Sequence, residues 1–164
     1  MQPKLFLLAL FISWASYGQF SLSSANLDYN SIKSIADSIA SRNELHAAYV
    51  AFPKSTNSPY ELFRQLSKSR DTLGILGLME HRNAVVRGYA FWALAKLHYS
   101  KLDKLLIAHA KDEERIRYIQ GRVLTELPLS EFMLWVVNPE IMDRNSKKLP
   151  GSVIKKMQAL RYSN

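Results

Sequence analysis

Two arginines thirty residues apart, Arg87 and Arg117, are the residues of this chain whose type and spacing come nearest to a binding chemistry. Each follows a β-branched residue, Val86 or Ile116, so both stand in the same local context. Two guanidinium forks on one edge can clamp a carboxylate or phosphate through parallel N–H donors. The other use of such arginines is structural, on carbonyls or acidic groups at a turn, for instance Asp112, and that use is the expectation. Tyr89, Phe91 and Trp92 interleave with Arg87 and raise stacking against a sugar or base as a possible chemistry. Helical spacing sends Tyr89 and Trp92 to the flank that Val85 occupies, which is core; Phe91 points elsewhere and is the candidate partner contact.

Other chemistries find less support. The four histidines, His46, His81, His98 and His109, fall into no metal-ligand spacing, and no metal or cofactor is expected. There is no G-x-S-x-G and no phosphate-cradling glycine loop, while Gly74, Gly77 and Gly88 lie within expected helices. Glu113 and Glu114 are adjacent, so on a helix they would diverge by about 100° and make a poor acid/base pair. No catalytic residue is assigned, although acid/base groups scattered over loops need no local motif. The chain has no cysteine, which removes disulfides, thiolate zinc sites and a thiol nucleophile together.

Positive charge is concentrated at one end. From residue 141 to 164 six Lys and Arg face one acid, Asp143, within a chain whose formal net charge is +8. Lys147, Lys148, Lys155 and Lys156 are therefore candidates for contact with an anionic lipid, polysaccharide or acidic protein. A solvated outer face on a terminal helix is the alternative.

The elements that must hold these residues read as helices. At 164 residues and 48% hydrophobic composition the chain suits one core. Residues 31–42 place Ile32, Ile35, Ala36, Ile39 and Ala40 on one helical stripe. After the polar, proline-bearing loop 51–59, Ser58, Pro59 and Glu61 mark the start of a second helix that runs to about Lys68. Thereafter Ile75, Leu76, Val86, Arg87 and Leu94 recur thirty residues later as Leu105, Leu106, Ile116, Arg117 and Leu124. That offset predicts two helical hairpins, at 71–98 and 101–127, with second helices over 83–98 and 113–126. Residues 129–137 fit helix or strand equally, and a last helix follows Pro150-Gly151.

The run HRNAVVRGYAFWALAKL resembles the second helix of a HEAT-like repeat of the short, roughly thirty-residue type, with Asn83 at the turn and Val86, Arg87, Ala90, Ala93 and Leu94 at the family positions. In the second copy Ile116 and Arg117 match, whereas Gln120 replaces the small alanine. Together with an export segment, the pattern is similar to small exported HEAT-like proteins of Gram-negative bacteria, for which the resemblance implies no activity. The fold expected is all-α: a short α-α superhelix of HEAT-like hairpins with N- and C-terminal capping helices, the basic cap covering 141–164.

Lys4, the apolar run 5–14 and the small residues Ser16 and Gly18 have the layout of a signal peptide over residues 1–18, cut before Gln19, leaving a single domain at 19–164. The apolar run is about ten residues, half of what spans a bilayer as a helix. The function expected is a non-enzymatic binding or scaffold module outside the cytoplasm, periplasmic or secreted, with an unidentified protein partner and no nucleic acid. The alternatives are an envelope-surface module held by its basic end, and a hydrolase or lyase with unrecognised residues. Intact-mass analysis of the exported chain should give a polypeptide beginning at Gln19; one retaining Met1 would remove the export reading.

Overall fold

The sequence AVVRGYAFWALAK forms helix α4 (Ala84–Lys96), and eleven of its thirteen side chains or glycine positions are buried. A helix without a polar face has to be enclosed on every side, and the rest of the chain does this. The computed structural model describes residues 31–50 and 58–163. Helix α1 (31–42) and strand β1 (Leu45–Val50) lead to α2 (Pro59–Leu66), α3 (Thr72–Gly77) with a 3-10 turn at Leu78–Glu80, and then α4. Helix α5 (Leu102–Ala108), strands β2 (Arg115–Gly121) and β3 (Val123–Pro128), α6 (Leu129–Val136) and α7 (Gly151–Tyr162) follow.

Start signals act locally. The Asn83 side chain accepts hydrogen bonds from the Val85 and Val86 amides and so begins α4. Ser58 accepts from the Glu61 amide, with Pro59 at the first helical position of α2. Helix α4 ends in a Schellman turn, the Tyr99 amide on the Leu94 carbonyl and the His98 amide on that of Ala95, with His98 at φ 52° in the place glycine usually takes.

Around α4 the packing is dense. Phe63 of α2 stacks on Trp92 at 4.2 Å and on Tyr89 at 5.4 Å between ring centres. Tyr89 binds α4 to β1, its hydroxyl oxygen accepting from the His46 amide at 2.7 Å. Gly88 permits the close approach on the other flank: a β-carbon there would stand 2.9 Å from Leu45 Cδ1 and 3.2 Å from Leu129 Cδ1.

The all-α superhelix is overturned. The chain is α/β, with a three-stranded mixed sheet in the order β1-β2-β3. β1 runs parallel to β2 with Leu45 opposite Tyr118, and β2 and β3 form an antiparallel hairpin with Gln120 opposite Val123. The expected second helix over 113–126 is that hairpin, so Ile116, Arg117 and Leu124 are strand residues and do not repeat the roles of Val86, Arg87 and Leu94. Ile116 is buried, but Leu124 is 45% exposed, whereas Leu94 is fully buried.

The physical reason lies at Gly121, whose φ of 62° supplies the first position of a two-residue turn with a twist matching the strands. Alternate residues Ile116 and Tyr118 then face the core, an arrangement a helix could not give them. Residues 129–136, open between helix and strand, are helical, with Ser130 buried inside α6. The export segment, its cut at Gly18 and Gln19, and most of the loop 51–59 lie outside the described residues.

Replacing Gly121 separates the two folds. In a hairpin turn, Gly121→Ala forces an alanine to positive φ and should lower stability in urea by about 1 kcal/mol. A helix at 113–126 would instead be stabilised by the same change.

Candidate functional site

Arg87 leaves the buried side of α4 and ends in a cage of acceptors. Its Nε and Nη2 reach the two carboxylate oxygens of Asp112, both at 2.9 Å, Nη2 also meets Glu114 at 2.9 Å, and Nη1 donates to the His81 carbonyl at 2.7 Å. Four of its five N–H donors are engaged. Burial lowers the proton affinity of Arg87, but its hydrogen bonds to Asp112 and Glu114 and their negative charges more than reverse this and hold it above the ordinary arginine value. Burial likewise pushes Asp112 up, while hydrogen bonds with His109 and Arg87 bring the net value below the ordinary aspartate range.

Arg117 is elsewhere. It lies on β2, half-exposed, with Nη1 3.0 Å from Glu44 at the entry to β1. Its pairing is therefore separate from the Asp112 cage that consumes Arg87.

Phe91 is fully buried and offers no surface to a partner. Residue 91 faces core because α4 is covered all round, so no side of the helix was left to point outward. Lys147 spans back to the end of α4, where Nζ donates to the Tyr99 carbonyl at 2.8 Å and its amide to Ala95 at 3.0 Å. Lys148 is exposed and 3.7 Å from Glu140, and Lys155 and Lys156 are exposed on α7. Arg161 is turned inward, its side chain only 9% exposed and within 3.5 Å of Glu131. Asn83, Val86, Ala90 and Leu94 serve packing and capping of α4.

The feature that sequence reasoning missed is a groove on the helix side of the sheet. Along β2 the residues facing that side go from buried Ile116 and Tyr118 to exposed Gln120; along β3 they go from exposed Val123 through Thr125 to buried Leu127. Among the described residues the helical cover therefore stops short of the hairpin turn. Over the uncovered end, Tyr118, Gln120, Val123, Thr125, Trp135, Ile141 and Met142 line a hollow of about 590 Å³. A second hollow of about 350 Å³ shares Tyr118, Gln120 and Met142 and continues to Tyr60, Trp92, Lys96, Asp143, Arg144 and Asn145. Val123 and Ile141 are 65% and 55% exposed, an apolar rim in an open position.

An ion pair joins the Lys147 bonds in tying the far wall to α4. Lys96, the other cation of α4, donates to Asp143 at 2.7 Å, and the Asn145 amide donates to the same carboxylate at 3.0 Å. Burial pushes the Asp143 carboxyl up, but the hydrogen bonds from Lys96 and the Asn145 amide more than offset this and bring it below its usual range. Burial raises the Tyr118 phenol to about 12 and also raises that of Tyr60, so both stay protonated donors at neutral pH. Asp143 is the one carboxylate among the lining residues and no histidine joins it there. Among the described residues no cluster of three metal-ligating side chains occurs, and no helix is long and apolar enough to cross a membrane. A third hollow, of about 600 Å³, lies between α1 and α3 beside the exposed Leu73.

The signal that could have found the groove was Gly121-Arg122 between two alternating runs, a hairpin turn that places Gln120 and Val123 side by side. No protein-family model matches this chain, and no curated protein or solved structure is significantly similar to it.

Arg87→Ala leaves two carboxylates facing one another and should lower stability in urea by about 2 kcal/mol, against less than about 1 kcal/mol for Arg117→Ala at the surface. Because Asp112 and Asp143 have folded-state values below their unfolded ones, their contribution is complete above about pH 4 and fades as pH falls through the lowered values. The acid limb of stability against pH should therefore flatten in Asp112→Asn and in Asp143→Asn, while an unchanged limb would show that other carboxylates carry it.

Proposed function

We propose that the protein is a non-enzymatic binding module working outside the cytoplasm, and that it receives a segment of a protein partner in the groove over the open end of the sheet. The observation that carries this reading is the continuity of the two hollows through Tyr118, Gln120 and Met142. Their combined size falls in the range of ligand clefts, and the wall is largely aromatic and aliphatic with a few polar groups, as recognition sites are. The ion pair Lys96–Asp143 neutralises its own charges, and the groove lacks the convergent acid and base that hydrolysis would need. The signal-peptide layout read in the sequence of residues 1–18 supports a place in the envelope or beyond.

A second reading rests on the basic end. Lys155 and Lys156 are exposed, and among the described residues no acid lies within salt-bridge distance of either, which suits an anionic surface. Lys147 and Arg161 are engaged by the protein itself, so this surface is smaller than the count of basic residues suggests.

Site-specific photocrosslinking distinguishes the readings. A benzophenone amino acid at Val123 should give discrete protein adducts in the native envelope, and one at the exposed Leu73 should not. Adducts formed equally from both positions, or from neither, would refute the groove as the binding face. Vesicle binding that falls on Lys155→Ala/Lys156→Ala and at high salt would support the second reading instead.

A further inference from the structure

We infer that the outer edge of β3 pairs antiparallel with the same edge of a second copy of this chain, with Leu124 on the two-fold axis. The dimer joins two three-stranded sheets into one.

β3 is the last strand in the order β1-β2-β3, so one of its sides faces no strand. The two-residue turn Gly121-Arg122 makes Gln120 and Val123 a hydrogen-bonded pair, and alternation gives Thr125 and Leu127 the same role toward β2. The main-chain groups of Leu124 and Glu126 therefore point away from β2. In keeping with this direction, the Glu126 carbonyl accepts from the Arg115 side chain, Nη2 at 2.8 Å. Among the described residues no main-chain group meets the Leu124 N–H, the Leu124 C=O or the Glu126 N–H. The edge also lacks the usual protection against pairing: it has no lysine and no bulge. Pro128, which has no N–H to offer, comes only at its end, and Val123 and Leu124 are exposed along it.

The partner is a second copy because the strand is complementary to itself. Antiparallel pairing centred on Leu124 sets that residue against its own copy, Val123 against Thr125 and Arg122 against Glu126, the last two twice by symmetry. These are an apolar pair, β-branched pairs and opposite-charge pairs, each of a kind that stabilises adjacent strands. Other registers lose this match. Centring on Thr125 sets Leu124 against Glu126, and centring on Glu126 sets two carboxylates against each other. Arg122 and Glu126 are exposed, and among the described residues neither side chain has an ion-pair partner within its own chain. Leu124 and Glu126 stand on the face of the sheet opposite to the groove, so each copy keeps its groove.

The test follows the mature chain by analytical ultracentrifugation, where it should sediment as a reversible dimer. Arg122→Glu alone and Glu126→Lys alone set like charges opposite one another, and each should weaken association about tenfold or more. An equimolar mixture of the two variants restores opposite charges at both places and should recover the dimer, which also shows that each variant is folded. A second measurement needs no charge change. The chain has no cysteine, so Leu124→Cys carries a single thiol. In an antiparallel hydrogen-bonded pair the Cα atoms are about 5.5 Å apart, within disulfide reach. Oxidised glutathione should therefore link Leu124→Cys into a covalent dimer and leave Leu73→Cys, at an exposed position of α3, monomeric. A chain that stays monomeric at millimolar concentration, a dimer indifferent to both charge changes, a mixture that fails to recover it, or equal linking at both thiol positions would overturn the inference. The groove reading is tested apart from this one, since photoadducts at Val123 of twice the chain mass belong to the dimer and those of any other mass to a different protein.

Discussion

The structure depends on enclosing a helix that has only two charged side chains. Arg87 and Lys96 are the cations of α4, and neither can stay inside an apolar shell unpaired. Each emerges at a different point and finds a carboxylate from a later part of the chain, Asp112 for Arg87 and Asp143 for Lys96. The helix is thus a post with two fasteners. One sets where the chain enters the β2-β3 hairpin, since Asp112 and Glu114 immediately precede it. The other sets where the chain passes between α6 and α7, since Asp143 belongs to that connection. Side chains that satisfy a local electrostatic demand in this way also determine the geometry of the surroundings.

The groove follows from a mismatch of lengths. Sheet and helices share a core at Leu45, Ile116, Leu127, Leu129 and Phe132, but the hairpin extends past the end of that cover. Among the described residues, the connection carrying Ile141 to Asn145 borders the uncovered face beside Tyr118 and Gln120, with Asp143 paired to Lys96. A surface built like this has a rigid floor, because strands register by main-chain hydrogen bonds, and a wall tied to α4 by the Lys96–Asp143 pair and by the bonds of Lys147 to Ala95 and Tyr99. Trp92 lies at the meeting point of the two systems. It belongs to the aromatic packing with Phe63 and Tyr60 and also lines the smaller hollow.

Much of the helical structure was legible from local signals. Ser58-Pro59, Asn83 and Pro150-Gly151 mark helix starts because they satisfy or dispense with the first amides of a helix, a demand that depends on neighbouring residues alone. The bond of Arg87 to Asp112 was within reach for a related reason: a charged group on an apolar helix requires an acid close to its turn. The thirty-residue offset misled at 113–126. Spaced apolar residues such as Ile116, Tyr118 and Leu124 can be drawn onto a helical stripe or onto alternating strand positions, and length alone does not separate the two. Gly121 was the residue that distinguished them. Phe91 is no contact residue because α4 is buried all round, including the side that helical spacing leaves for position 91.

What the amino-acid sequence determined by itself was the inventory: an apolar helix bearing two cations, a set of capped helix starts, no thiol chemistry and a basic end. Tertiary structure decided which conformation residues 113–128 adopt and therefore whether a groove exists. The reason is that a strand needs a partner for its main-chain donors and acceptors. For β2 one of those partners is β1, about seventy residues earlier, where Leu45 lies opposite Tyr118. No window short enough to read for periodicity contains both.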